Sequence, residues 1–193
     1  MSKKKRRARG PVPTRTPQIA SLREDHRYEQ FFFDPSTTRR LADLACTARD
    51  PLLVCLPSIA VALNERSRPA RLLDRDMRFS GLPRMERFDL QSPDYIDGRH
   101  DLLMCDPPFA NVELTRLVDT LDLLVATAMV PSPEPALALC YTSSRDSALK
   151  SSFAAYDLQA VGAPLGYRSV STATQSRIRL YLSRGARTRC ASP

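Results

Sequence analysis

The sequence predicts an α/β fold, a mostly parallel sheet with helices on both faces that closes with a final antiparallel strand pair. Two observations carry this. Short apolar runs alternate with segments whose apolar residues recur at helical spacing, and most of the runs end in a turn or an acidic residue. A run that is apolar at every position suits a strand covered on both faces.

The elements follow in order. Asp34-Pro35-Ser36-Thr37 offers a capping side chain ahead of good helix formers, so Ser36 to Thr47 is expected as a helix, with Leu41, Leu44 and Ala45 on one face. Asp50-Pro51 stops it. Leu52 to Leu56 reads as the first strand, Pro57-Ser58 as its turn, and Ile59 to Glu65 as a helix. Ala70 to Leu73, Glu86 to Leu90 and Leu102 to Cys105 read as the next three strands. Glu113 to Met129 has the spacing of a helix, through Leu114, Leu117, Val118, Leu121, Leu124 and Val125. Ala136 to Tyr141 is strand-like, and Leu158 to Gly162 with Arg177 to Leu182 are expected as the antiparallel pair. In such a sheet ligands bind outside the carboxyl ends of the strands. Those ends carry Pro57-Ser58, Asp74, Asp89 and Asp106.

A chain of 193 residues suits one domain with a real core. Its net charge of +8 is unevenly spread. Residues 1–23 hold eight Lys or Arg and no acid, and residues 184–193 add Arg184, Arg187 and Arg189. That leaves 18 of the 29 basic residues against all 21 acidic ones in the body. The division expected is a basic disordered tail over 1–23, a folded domain over 24–183 and a second basic tail over 184–193. The first tail reads as an import signal or a phosphate-contacting arm, or more simply as a solvated tail. Nucleus, nucleolus or cytoplasm is the expected setting. A mitochondrial leader is disfavoured, because Pro11, Pro13 and Pro17 break any amphipathic helix.

Cys46, Cys55, Cys105, Cys140 and Cys190 are scattered, with no Cys-x-x-Cys pair, which speaks against a zinc site and a disulfide framework. No metal is expected. No apolar run approaches the roughly 18 residues of a membrane span, so no membrane is expected as a partner. His26 and His100 lack nearby nucleophiles or ligand partners and read as structural.

Asp106-Pro107-Pro108-Phe109 follows the fourth predicted strand, where the ligand crevice should lie. An acidic acceptor with a stiff, N–H-poor backbone suits holding the hydrogens of an amine, so that its lone pair can attack an electrophilic methyl. Phe109 could stack on a flat base or wall a lysine stem. Asp74 at a strand end suits a ribose diol, while Asp76 could support the turn and pair with Arg78; Asp89 could meet an adenine amine. Tyr28, Phe31, Phe32 and Phe33 could cover a ligand or pack on the sheet. The first strand lacks the Gly-x-Gly of a dinucleotide site, having Cys55-Leu56-Pro57-Ser58 instead.

Five segments together resemble the eukaryotic "probable N6-adenine methyltransferase" family: YEQFFFDPST (28–37), LLVCLPS (52–58), LLDRDMRF (72–79), RFDLQSP (87–93) and HDLLMCDPPF (100–109). The resemblance implies a single Rossmann-like class I methyltransferase domain using S-adenosyl-L-methionine. It implies that Cys55, Pro57 and Ser58 line the cofactor, with Asp74 on its ribose and Asp89 near its adenine. Asp106, Pro107, Pro108 and Phe109 would form the catalytic loop, and Phe32, Phe33 and Phe109 would meet the substrate. The family also lacks the glycine motif, so its absence here ceases to be an objection.

Two branches are relevant. YEQFFFD, LLDRD and Phe109 look more like the zinc-finger CCHC ribosomal RNA adenine methyltransferases, although the chain lacks their cysteine and histidine clusters. The other branch, the elongation factor 1-alpha lysine methyltransferases, implies a translation factor as substrate. RNA or a ribosomal particle is the expected partner. The slightly acidic body suggests an activating protein as a further one. A non-catalytic scaffold in a ribonucleoprotein is the third reading, and the intact DPPF speaks against it.

Overall fold

In the computed structural model, which describes residues 18–26 and 29–191, seven strands form one sheet. Tyr28, with the first seventeen residues, lies outside the described residues. The strands are β1 (Pro51–Val54), β2 (Arg71–Asp74), β3 (Met85–Arg87), β4 (Leu102–Cys105), β5 (Leu137–Thr142), β6 (Gln159–Val161) and β7 (Ile178–Leu182). Their order is β3-β2-β1-β4-β5-β7-β6. The first five run parallel, and β7 is antiparallel to both β5 and β6. The order reverses between β1 and β4, which opens the crevice at their carboxyl ends.

The helices are α1 (Pro35–Cys46), α2 (Pro57–Glu65), α3 (Leu114–Ala128), α4 (Asp146–Ser152), α5 (Thr172–Gln175) and α6 (Arg184–Ala191). Alternation along the strands divides the core in two. Leu53, Leu72, Met104 and Ala138 face one side with Leu41, Ala45, Ile59 and Leu63 of α1 and α2. Leu52, Val54, Leu73, Leu103 and Leu139 face the other with Leu117, Leu121 and Leu124 of α3. Asp34 caps α1 by accepting from the Thr37 amide at 2.6 Å.

Gly166 lies against that cap: its carbonyl accepts from Asp34 N, and its own N–H reaches Thr37 Oγ1 at 2.9 Å. A Cβ on Gly166 would overlap the Asp34 carboxylate. Gly166→Ala is therefore expected to cost about 1–3 kcal/mol, read as a lower melting temperature. An unchanged melting temperature would contradict this packing.

Three sequence expectations need correction. Residues 184–191 are not a tail but α6, with Ala186 fully buried. Its arginines are consumed by acids of the body: Arg187 pairs with Asp157 at 2.6 Å and Arg189 with Asp101 at 3.0 Å. Residues within 1–23 also join the fold, since Ile19 and Leu22 pack against the core and the Arg23 carbonyl accepts from Arg78 at 2.9 Å. The third strand ends at Arg87 instead of reaching Leu90, because its partner β2 ends at Asp74. Phe88 and Leu90 nonetheless turn into the core.

Candidate active site

A cavity of about 370 Å³ opens at the carboxyl ends of β1, β2 and β4, a size that suits a small-molecule ligand. Cys55, Pro57, Asp74, Asp89, Asp106 and Pro108 line it. Each is placed by the end of a strand. Cys55 directly follows β1 with φ of 56°, the left-handed conformation that favours glycine, and its N–H reaches the Leu73 carbonyl at 2.9 Å. The chain thus makes the tight turn of a glycine motif without a glycine. Pro57 then occupies the first turn of α2, where a missing N–H costs nothing.

Asp74 is the last residue of β2 and is buried, with Oδ1 accepting from the Asp76 amide at 2.8 Å. Burial is the main cause that raises its carboxyl to about 6. Asp76 pairs with Arg78 at 2.6 Å and caps the following turn. Asp89 is exposed at the cavity rim, one oxygen held by the Gln91 amide at 3.0 Å.

Asp106 follows β4, and its N–H bonds the Val54 carbonyl at 3.1 Å, which ties it to the neighbouring strand. Burial pushes its carboxyl up to about 8, offset by a hydrogen bond from Tyr167 and reinforced by the charge of Glu29. Pro107 is buried and Pro108 forms part of the wall.

The aromatic expectations are redistributed. Phe109 is not part of the cavity wall: its ring meets Tyr141 edge-on, with centroids 5.2 Å apart. It anchors the loop to the core, and its carbonyl accepts from Arg145 at 3.4 Å. Phe32 and Phe33 are buried, Phe32 edge-on to Phe79 and Phe33 against Tyr167. Neither lines the cavity, because an apolar ring gains more from the closed core than from a wet cleft. Among the described residues of that run, Phe31, half-buried and stacked on His26, is the aromatic that reaches the wall. Ser58 is buried and stands apart from the wall.

Three contributors carried no separate motif. Glu29 accepts from the amides of Ala110 (2.6 Å) and Asn111 (3.1 Å), just beyond the DPPF loop. Gln30 donates to Asp76 at 2.7 Å and accepts from Arg78 at 2.5 Å. This dipeptide joins the loop after β4 to the end of β2. Its signal was present in the middle of YEQFFF, hidden among aromatics. Tyr167, which donates to Asp106, gave none.

The cavity wall holds Asp25, Glu29, Asp74, Asp76, Asp89 and Asp106 against Arg75, Arg78 and Arg87. An excess of carboxylates suits a cationic sulfonium, and a buried acid at the end of β2 suits a ribose diol. The residues therefore fit S-adenosylmethionine. Asp74 would hold the ribose, Asp89 would lie near the adenine, and Cys55 and Pro57 would line the cofactor. Bound there, the cofactor supplies an electrophilic methyl on a positively charged sulfur. Among the described residues no cluster of His, Cys, Asp or Glu is placed to hold a metal, and no helix is long and apolar enough to cross a membrane.

Fold and site together define a class I, Rossmann-like methyltransferase domain. Residues 24–177 match the family described as "Probable N6-adenine methyltransferase", and the chain belongs to that family. That description names transfer of a methyl group to the N6 nitrogen of adenine. No curated protein matches the chain. Among solved structures it is similar to TrmN from Thermus thermophilus, with 17% identity over 75% of this chain and 47% of that one, at a TM-score of 0.51. It thus spans about half the length of TrmN. It is also similar to the N-methyltransferase NodS from Bradyrhizobium japonicum WM9 in complex with S-adenosyl-l-homocysteine, at 13% identity, 84% and 91% coverage and a TM-score of 0.54. A third similarity is to a branched-chain polyamine synthase from Thermus thermophilus bound to N4-aminopropylspermidine and 5'-methylthioadenosine. It has 14% identity, 85% and 60% coverage and a TM-score of 0.59.

Proposed function

We propose that this chain methylates the N6 amine of adenine in RNA, with ribosomal RNA as the substrate. The observation that carries the reading is the carboxyl of Asp106 at the cavity wall, at the head of a stiff Asp-Pro-Pro loop. Asp106 accepts a hydrogen of the target amine and so holds its lone pair toward the methyl donor. Pro107 and Pro108 keep the loop rigid, and Phe109 fixes its far end on Tyr141. Positioning and electrostatics supply the acceleration, with no covalent intermediate on the protein.

Other features agree. The family description names N6-adenine. Two similar structures hold adenosine thioethers, S-adenosyl-l-homocysteine and 5'-methylthioadenosine. YEQFFFD, LLDRD and Phe109 favour the ribosomal RNA branch. The seven Lys or Arg among residues 1–17 suit phosphate contact, and a partner protein or preassembled particle adds grip to an acidic body. Nucleus, nucleolus or cytoplasm agrees with such a substrate.

A second reading has its own support. The acid-rich wall would also draw a lysine side chain, which favours a translation elongation factor as acceptor. Salt separates the two. Binding of ribosomal RNA transcripts is expected to weaken steeply with salt, and deletion of residues 1–17 should flatten the log–log slope by several units, at roughly 0.7 per phosphate lost. A salt-insensitive or absent RNA interaction in the full chain would overturn the RNA reading and favour lysine.

A further inference from the structure

We propose that Tyr167 is a positioning residue for methyl transfer, its hydroxyl fixing the Asp106 carboxyl so that the second oxygen faces the incoming amine. This rests on the reading of Asp106 as the amine acceptor.

Tyr167 lies in the loop between β6 and α5, and its hydroxyl donates to Asp106 Oδ1 at 2.9 Å. The last torsion of an aspartate is soft, so the strand end alone does not orient the carboxyl. A fixed donor on one oxygen does. Oδ2 has no protein partner among the described residues, and Asp106 stands at the cavity wall.

The donor itself is held from several sides. Tyr167 is buried, and its ring packs on Phe33 with centroids 4.6 Å apart. Its backbone bridges to Phe33, its carbonyl accepts from Gln175 at 2.8 Å, and the next amide reaches the Phe32 carbonyl at 2.8 Å. The buried Phe32-Phe33 pair thereby supports the phenol that holds the catalytic carboxyl.

Donation from a neutral phenol also favours the ionised carboxylate. Among the described residues the other titratable groups facing Asp106 are Glu29 from the N-terminal segment, Cys55 after β1, Cys105 beside it and Cys140 on β5. None is a cation, and among the described residues no Lys or Arg bonds Asp106.

The test compares affinities for S-adenosylmethionine and S-adenosylhomocysteine by calorimetry across pH, since only the former carries the sulfonium that an ionised Asp106 attracts. In the wild type the preference for the sulfonium should rise with pH. Tyr167→Phe, which keeps the ring on Phe33, should move the midpoint up by about one pH unit, one modest hydrogen bond. Asp106→Asn should abolish the dependence above pH 7, where Asp74, raised to about 6, is already ionised. With labelled cofactor and whichever of ribosomal RNA transcript or elongation factor takes label, Tyr167→Phe should lower kcat about tenfold, with KM for the cofactor changed by no more than a few-fold. Added to Asp106→Asn, it should slow the reaction no further.

A wild-type midpoint and rate in Tyr167→Phe, with a flat Asp106→Asn, would overturn the role of Tyr167. A pH dependence above pH 7 that survives in Asp106→Asn would overturn the reading of Asp106 instead. If Tyr167→Phe does not fold, 3-fluorotyrosine at this position is a stronger donor of nearly the same shape. It must then move the midpoint to lower pH, and an unmoved midpoint overturns the proposal.

Discussion

Asp106→Ala is expected to lower methyl transfer by at least ~100-fold, the scale of removing one preorganised polar group from a transition state, while cofactor affinity stays within a few-fold of wild type. The split follows from geometry. Asp106 stands after β4, two strands across the sheet from the end of β2, where Asp74 would take the ribose. Its removal leaves the nucleoside contacts in place and deprives the amine of its acceptor. Calorimetry with the cofactor and initial rates with labelled methyl check both halves. Near wild-type rates in this variant would sink the mechanism.

The same residue makes a pH prediction with a defined sign. Its carboxyl is raised from 3.8 to about 8 in the fold, chiefly by burial. Between these values the folded chain holds a proton that the unfolded chain releases, so the stability from this group is greatest below about 4 and is lost as pH rises through about 8. Asp106→Asn, which cannot ionise, should melt above wild type, by a margin that grows from pH 5 to pH 8.5. Transfer limited by Asp106 ionisation should rise over the upper part of that range, because the acceptor must be unprotonated. A melting difference that shrinks with pH would show that the carboxyl is not buried as described.

Asp74→Ala is the second large effect and its mirror image. It should weaken S-adenosylmethionine binding by roughly 10- to 100-fold, the loss of charge-assisted hydrogen bonds to a diol. At saturating cofactor most of the turnover should return. Asp74 is raised to about 6, so its unfavourable contribution to the ligand-free fold develops between pH 4 and 6 and is complete above that. Asp74→Asn should therefore stabilise the free protein at pH 7 even as it weakens binding. That combination marks a carboxylate kept for a ligand; a variant that loses both stability and affinity would mark a structural acid.

Much of this was legible before the structure, for identifiable reasons. β1, β2, β4 and β5 are short apolar runs with polar ends, and a strand covered on both faces can be little else. Asp74 and Asp106, which stand at the cavity wall, stood out in the sequence because an acid at a strand end is a local pattern. What escaped depends on contacts distant in sequence or on charges that the fold neutralises. α6 reads as a basic tail until Asp101 and Asp157 are seen to pair with Arg189 and Arg187. Cys55 stands where a glycine is expected, and only its backbone angle reveals the shared turn. The aromatic run showed that rings would be buried but not which: Phe32 and Phe33 turn inward and Phe31 toward the cleft. Tyr167 reaches Asp106 across 61 residues of chain, and no local pattern marks it.

Transfer of a methyl group by this cleft to adenine N6 in ribosomal RNA has a direct test. The protein is incubated with methyl-labelled S-adenosylmethionine and a mixture of unmodified ribosomal RNA and translation proteins, followed by nuclease or protease digestion. Label should appear in nucleosides as N6-methyladenosine. Label confined to the lysines of an elongation factor, or no label with no cofactor binding, would contradict the RNA reading.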